Sequence, residues 1–315
     1  MSAPKFLRGN FSDLYGANML PVLEELFRTE LTMHPSAREQ IFKKVAHDRD
    51  IWQSSEVHDM PLFSQMAEGT DYSFSAPKEG ASKTLTIQKY GLGFSISEEA
   101  VADGKFDQIA SAIRAMARSA KESKEVSGMN VINNGYTTET TADGVAIFST
   151  AHTLPSGGTL RNRLSSDADL SVTSIETMLQ DFETQFIGDS GIIYNMVPKV
   201  LLVHPSNKRL AKELIGSDLK PNDVGTDNGP TNALNPFKEE GLRVISSPHV
   251  SDTDSWNMLA APEDTGLRII EREPIQTKAG GPDSGFINDS MLYKAKYREQ
   301  VGAIHPYGVF GTVGA

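Results

Sequence analysis

Cysteine is absent from this chain of 315 residues. Disulfide bonds, thiolate nucleophiles and Cys-ligated zinc or iron–sulfur centres are therefore excluded, and stability must come from packing and from partners. The sequence also lacks a run of about 18 apolar residues, which a membrane-spanning helix needs, and its first residues contain no apolar signal segment. We therefore predict a protein without a membrane segment that is made in a cytoplasm-like compartment.

Basic residues are also in short supply, 30 against 41 acidic ones, which gives a net charge of −11. Tight binding to phosphate backbones needs clustered Lys and Arg, so sequence-specific nucleic-acid binding is not expected. The 7 histidines show no His-x-x-x-His spacing. Ser149 and His152 lack the Gly-x-Ser-x-Gly turn of a serine hydrolase, and His204 precedes a proline at a predicted helix start. The sequence predicts no catalytic residue, metal site or cofactor.

The segment 57–97 is polar and rich in β-forming residues. Alternation at 70–75 and 83–90, with turn residues between them, predicts a long hairpin. Each face is only weakly apolar, and two strands alone are marginally stable in water. We therefore expect that something outside this segment completes it, which points to assembly.

Helices are predicted on both sides of this segment. Apolar residues in 13–47 have helical spacing, with breaks near Pro21 and Pro35, and predict short helices. In 106–133 the apolar residues form one stripe, with polar residues on the opposite face. This stretch predicts a single helix roughly 42 Å long, at about 1.5 Å per residue.

The rest of the chain has an α/β pattern. The apolar run 145–148 predicts a strand, and Ser171 predicts the N-cap of a helix that ends near Phe186. A buried strand is expected at 199–203, with a helix directly after it. The segment 216–240 is poor in apolar residues and predicts a long loop. Further strands are predicted at 242–246, 256–260, 267–271, 290–298 and 307–313.

Three lysines stand out in the predicted hairpin because the chain as a whole is acidic. Lys78, Lys83 and Lys89 could pair with carboxylates on a neighbouring molecule, or they could keep an exposed β edge soluble. Tyr72 and Phe74 supply aromatic surface in the same segment. We predict these five residues as candidates for contacts between subunits.

In this order the segments resemble the major capsid proteins of tailed bacteriophages, which have the Hong Kong 97-type fold, and among them the Mu-like major head subunits. Three local stretches carry the resemblance. The first is Asp-Gly-Val-Ala-Ile-Phe-Ser-Thr-Ala-His at 143–152, followed by Asn162. The others are Lys-Val-Leu-Leu-Val-His-Pro at 199–205 and Tyr-Gly-Val-Phe-Gly at 307–311.

This resemblance implies an α+β capsid fold with five parts. An N-terminal arm would occupy 1–56 and a β-hairpin extension 57–97. A peripheral domain with a long spine helix would occupy 98–150, an axial domain 151–265, and the return strands of the peripheral domain 266–315. In such proteins the extension reaches across a neighbouring subunit.

The resemblance further implies a non-enzymatic subunit that self-assembles, as pentamers and hexamers, into a head shell enclosing double-stranded DNA. Separate scaffold, protease and portal proteins are the implied partners, with assembly in the host cytoplasm and the virion as final location. No motif fixes a crosslinking pair, so none is predicted. Two alternatives stay open: an encapsulin-like nanocompartment shell around a cargo enzyme, and a hydrolase that uses His152 or His204.

Overall fold

The structure is a computed structural model that describes residues 19–33, 36–57, 60–69, 71–72, 74–76, 79–97, 106–154, 157–218, 234–279 and 290–315. Within these ranges the α-helices are α1 (Met19–Thr32), α2 (Phe106–Asn133), α3 (Val172–Thr184) and α4 (Lys208–Gly216). The strands are β1 (Lys43–Ala46), β2 (Ile51–Val57), β3 (Glu79–Thr86), β4 (Gln88–Ser97), β5 (His152–Thr153), β6 (Thr159–Leu160), β7 (Val200–Val203), β8 (Arg243–Ser246), β9 (Trp256–Leu259), β10 (Leu267–Ala279), β11 (Ser290–Ala303) and β12 (Val309–Thr312).

The strands form two four-stranded sheets, in the orders β1-β10-β11-β4 and β12-β9-β7-β8, and two pairs, β2-β3 and β5-β6. The chain divides into two units, and each unit is built from segments distant in sequence. The first unit comprises Met1–Ser36, Gln88–Lys124 and Glu271–Glu299, and the second comprises Ala37–Ile87, Glu125–Ile270 and Gln300–Ala315.

The first unit has its core between α1, the first part of α2, and the strands β4 and β11. The apolar stripe of α2 enters this core, where Ile113 and Ala117 are fully buried. Strands β4 and β11 pair antiparallel with Tyr90 opposite Tyr297, and these two rings stack with their centroids 5.1 Å apart.

Helix α2 confirms the predicted long helix, with the predicted bounds.

The second unit is organised around β7, all of whose residues are buried. Leu201 and Val203 pack into a core that contains Phe182 of α3, while Leu202 packs into another that contains Met129 of α2. Successive side chains of a strand point to opposite faces, so both faces of this sheet are covered. This arrangement explains why the strand is an uninterrupted apolar run.

Most other predictions in this region are confirmed. A capping box at Ser171 and Ser174 begins α3, and a 3₁₀ turn at Pro205–Asn207 leads into α4. The later predicted strands correspond to β8, β9, β10, β11 and β12, of which β10 and β11 are longer than expected. Of the predicted loop 216–240, residues 219–233 lie outside the described residues.

The prediction of helices throughout 13–47 is wrong in part. Helix α1 contains Pro21 in its first turn, where a proline needs no amide hydrogen, so this residue does not break the helix. Pro35 lies outside the described residues. Residues Lys43–Ala46 form the strand β1, in which half-buried and exposed side chains alternate. Pairing within a sheet decides the structure there, overriding the helical spacing.

Both strands of the predicted hairpin differ from the prediction. The predicted second strand, 83–90, is divided at Ile87 between β3 and β4, and β4 pairs with β11. Strand β3 pairs antiparallel with β2, with Trp52 opposite Leu85, and none of the described residues of 70–75 lies in a strand. Tyr72 and Phe74 are exposed, so the alternation in 70–75 has no buried face to favour a sheet. The hairpin therefore begins at Ile51, before the predicted start of the extension.

The predicted strand at 145–148 is also wrong. Only Ala146 forms a β-bridge there, with Thr140, although Ile147 and Phe148 are fully buried. Their backbone groups bond to irregular neighbours, as when Phe148 N donates to Gly135 O at 2.9 Å. The run is apolar because its side chains are buried, and this burial does not require a strand as long as the backbone groups find other partners.

Candidate assembly surface

The described residues within 60–76, called here the tip segment, contain no strand or helix. Phe63 and Phe74 are 107% and 96% exposed. Other large apolar side chains exposed in this segment are Met60, Leu62, Met66 and Tyr72. A concentration of exposed large apolar side chains of this kind is typical of a site of interaction with another molecule.

The hairpin β2-β3, which the tip segment connects, is anchored within the second unit. Leu85 of β3 is buried and packs on Gly302 of β11, where an added Cβ would lie 2.8 Å from Leu85 Cδ2. Leu85 therefore approaches bare backbone, which only glycine allows at this distance. The hairpin is fixed at its base, whereas the aromatic side chains of the tip segment are exposed.

Lys83 has partners within its own chain. Its Nζ donates to Thr140 O at 2.9 Å and to Thr140 Oγ1 at 3.1 Å. Burial raises the pKa of the nearby Glu139 carboxyl, and the positive charge of Lys83 opposes this rise. Lys83 thus connects β3 to the turn after α2, a contact that sequence reasoning missed because Thr140 is far away in the chain.

The predicted contact residues belong to different elements of the structure. Tyr72 and Phe74 belong to the tip segment, Lys83 lies on β3 in the second unit, and Lys89 lies exposed on β4 in the first unit. Lys78 lies outside the described residues. The participation of all five in contacts between subunits stays a prediction.

A buried polar cluster occupies the stretch 143–162 that carries the family resemblance. His152 Nδ1 lies 2.7 Å from Asp143 Oδ2, and His152 Nε2 lies 3.2 Å from both Asn162 Oδ1 and Ile147 O. Asn162 Nδ2 in turn donates to Ile147 O at 2.6 Å. These bonds satisfy buried groups of an irregular backbone, which explains the combination of Asp, His and Asn at this spacing.

Asp143 is the negatively charged residue of this cluster. Burial favours the neutral carboxyl, but hydrogen bonds from His152 and Thr141 outweigh it and lower the pKa of Asp143. Ser149 N donates to Asn162 Oδ1 at 2.8 Å, and Ser149 Oγ accepts from Ala151 N at 3.1 Å. The His152 ring therefore contacts Asp143 and Asn162, and Ser149 is not placed as its nucleophile.

His204 also has a structural role. Its Nδ1 accepts from Ser206 N at 3.2 Å and so caps the 3₁₀ turn that precedes α4. In the described part of the chain, no three His, Asp or Glu side chains are grouped so that they could hold a metal ion. The helices in that part are too short or too polar to cross a membrane.

Comparison with known proteins places this geometry in a family. Residues 80–311 match the family model described as phage capsid protein. The capsid structure of cyanophage P-SCSP1u has a TM-score of 0.57 at 11% identity, covering 89% of this chain and 88% of that one. A virus-like particle from Pyrococcus furiosus has a TM-score of 0.53 at 12% identity, covering 92% of this chain and 97% of that one.

A structure from Microbacterium phage Oxtober96 is similar to a comparable extent, with a TM-score of 0.52 at 13% identity, covering 89% of this chain and 91% of that one. No similar protein was found among curated sequences. Likeness at such low identity shows a shared fold. It confirms the predicted α+β fold of the Hong Kong 97 type.

Proposed function

Because this chain belongs to the phage capsid protein family, we propose that its copies assemble into the closed shell of a phage head around packaged double-stranded DNA. The observation that carries this proposal is the tip segment, whose large apolar side chains are exposed in the single subunit. Covering such side chains contributes about 25 cal/mol per Å² of apolar surface. Contact with a neighbouring subunit would supply that cover, and many such contacts would hold the shell together.

The proposed shell consists of pentamers and hexamers of this chain. A tip segment that contacts a different surface of the next subunit makes a directional interface, and a directional interface forms a ring when the rotation between successive copies closes. In this proposal the arm is 1–56, the extension 57–97, the peripheral domain 98–150 with 266–315, and the axial domain 151–265. Scaffold, protease and portal are separate proteins, and assembly takes place in the host cytoplasm as for Mu-like major head subunits.

The charge of the chain supports confinement of DNA over tight binding. A net charge of −11 repels phosphate backbones at long range, and few phosphates would be neutralised by a surface of this composition. Packaged DNA would then remain free to leave the head. This role needs no sequence-specific contact.

The alternatives from the sequence have less support. The family match names a phage capsid protein, which favours a head over a nanocompartment with a cargo enzyme. The hydrolase alternative required His152 or His204 as a base, and both rings make the structural contacts described above. The family is one of structural proteins.

Electron microscopy of the expressed protein tests the proposal. We expect closed shells or capsomer rings when the chain is produced alone or with the scaffold encoded beside it. Nuclease-resistant DNA in particles from infected cells would support the head. A co-purifying enzyme without DNA would instead support a nanocompartment, and a chain that stays monomeric at high concentration with its scaffold present would contradict both.

A further inference from the structure

A cleft of about 740 Å³ opens on the second unit. Its lining includes Trp52 of β2 and three further residues with apolar surface, Tyr194, Val197 and Tyr307. The rings of Tyr194 and Tyr307 meet edge to face with centroids 5.3 Å apart. This volume is within the range of sites that enclose a ligand or a few side chains of a partner.

One polar atom among the residues that line the cleft has no hydrogen-bond partner within the described chain. His305 Nδ1 is buried without a hydrogen bond, a state that costs free energy unless a ligand supplies the missing partner. Burial, assisted by the charge of Arg268, lowers the pKa of His305 to about 4, so the ring is neutral near pH 7. A neutral imidazole can exchange a hydrogen bond with a hydroxyl or an amide.

Arg268 provides positive charge at the same place. Its Nη1 donates to Thr265 O at 2.5 Å and to Leu267 O at 3.0 Å, which fixes the guanidinium beside the cleft. Burial lowers the pKa of Arg268, because a desolvated cation lacks hydration. Lys199 also lines the cleft. Asp264 is the one carboxylate among the lining residues. The lining residues therefore combine aromatic walls with two cations and one carboxylate, and the nearby Glu263 adds a negative charge that acts on Arg268.

The tip segment has the complementary chemistry. Residues 60–76 contain Glu68 and Asp71 and no Lys or Arg. Phe63 and Phe74 are the most exposed of its large apolar side chains, and Tyr72 and the serines bring hydroxyl groups. An acidic, aromatic, hydroxyl-rich segment matches an aromatic cleft that presents Arg268, Lys199 and an unpaired imidazole nitrogen.

We propose that the cleft is the receiving site for the tip segment of a second copy of this chain, with Phe74 or Phe63 as the aromatic anchor. The carboxylates of Glu68 and Asp71 would lie towards Arg268 and Lys199. This inference rests on the proposed function, since it names the partner of the surface that is thought to drive assembly. Such a contact joins unlike surfaces, so the copy that supplies the tip keeps a free cleft and the copy that supplies the cleft keeps a free tip.

The absence of cysteine permits a direct test by disulfide formation. One chain carries Phe74→Cys, a second carries Val197→Cys, and the two are assembled together and then oxidised. Because each chain has a single thiol, a bond between positions 74 and 197 can only join different copies. We expect a reducible dimer whose disulfide is located by mass spectrometry. Phe63→Cys is tested in the same way.

Leu210→Cys is the matched control, since this residue is an exposed apolar side chain on α4 that does not line the cleft. We expect about tenfold less dimer from Phe74→Cys with Leu210→Cys than with Val197→Cys, as a difference of about 1.4 kcal/mol in contact free energy would give. Adding Arg268→Gln to the Val197→Cys chain should lower the yield several-fold if the carboxylates contribute.

The outcomes separate the two proposals. Shells that form without excess dimer over the control, at both tip positions, would overturn the cleft assignment and leave the shell function standing. Exclusive formation of the bond within one chain of a Phe74→Cys/Val197→Cys double variant would show that the segment covers its own cleft, which also overturns it. Failure of the unsubstituted chain to form any shell would count against the proposed function itself.

Discussion

The sheet around β7 and the tip segment belong to the same unit, yet the sheet buries its apolar side chains and the tip segment exposes them. Every residue of β7 and β9 is buried, whereas Phe63 and Phe74 are exposed to solvent. Apolar surface in the sheet stabilises one chain, and apolar surface in the tip segment gains free energy only through contact with something else. The comparison indicates that residues for folding and residues for assembly are separate in this sequence.

Deleting 60–76 and closing the gap with a short Gly-Ser linker is the strongest way to break the comparison. We expect complete loss of closed shells, with a free energy of unfolding close to that of the parent, because the deleted side chains contribute little to the described core. Electron microscopy and urea denaturation of the subunit measure the two effects. Normal shells from the deletion would contradict the assembly role.

This deletion spares β3 deliberately. A cut from 71 to 86 would remove the whole of β3 and with it Leu85, which is buried against Gly302. A stability loss from that larger cut would say nothing about the tip segment.

The same substitution at two phenylalanines sharpens the comparison. Phe310 is fully buried between Phe182 and Phe186, so Phe310→Ala should destabilise the subunit by about 3 to 5 kcal/mol. Urea denaturation of unassembled subunits measures this loss.

Phe74→Ala is the matched control. Phe74 is 96% exposed, and we expect a change in unfolding free energy within about 0.5 kcal/mol together with reduced shell yield. A large loss of subunit stability from Phe74→Ala would show that the segment is part of the fold.

Lys83 and Lys89 offer a smaller contrast between an anchored lysine and an exposed one. Lys83→Met removes two hydrogen bonds to Thr140 and should cost about 1 kcal/mol, because Lys83 is half-buried and its charge is partly screened. Lys89 is exposed on β4, so Lys89→Met should change stability by less than about 0.5 kcal/mol. If thermal denaturation shows equal losses of stability for Lys83→Met and Lys89→Met, the anchoring role of Lys83 is contradicted.

The last expected effect concerns pH. The pKa of His305 in the folded chain is about 4, and in the unfolded chain it is about 6.5. The unfolded chain binds more protons between these values, so the contribution of His305 to stability is complete above the unfolded pKa and declines as the pH falls towards 4. His305→Gln should flatten the pH dependence of the urea midpoint over this range. An unchanged slope would contradict the assignment.

The long helix could be predicted from sequence to the residue, because one apolar stripe and its polar opposite face leave a single favourable structure. The strand at 199–203 could also be predicted from sequence, since burial on both faces gives an uninterrupted apolar run. These elements depend mainly on their own residues and on a core that surrounds them.

Other elements depend on partners far away in the chain. The alternation at 70–75 indicated a strand, but β3 pairs with β2, and no local feature of 70–75 distinguishes the two choices. The run 145–148 is buried without a strand because Asn162 and distant carbonyl groups satisfy its backbone. The anchoring of Lys83 on Thr140 and the unpaired nitrogen of His305 likewise arise only when the chain is folded.

The contact between Leu85 and Gly302 has a consequence for the geometry of a whole particle. The base of the hairpin rests on a position without a side chain, and a methyl group added at Gly302 would lie 2.8 Å from Leu85 Cδ2, so that Leu85 must shift. We expect this shift to alter the direction of the hairpin by a small angle. A closed shell repeats the angle between neighbours in every copy, and a small change in it therefore alters the radius of the particle. Position 302 is thus a place where a substitution of minimal size, without loss of any polar contact, could change curvature.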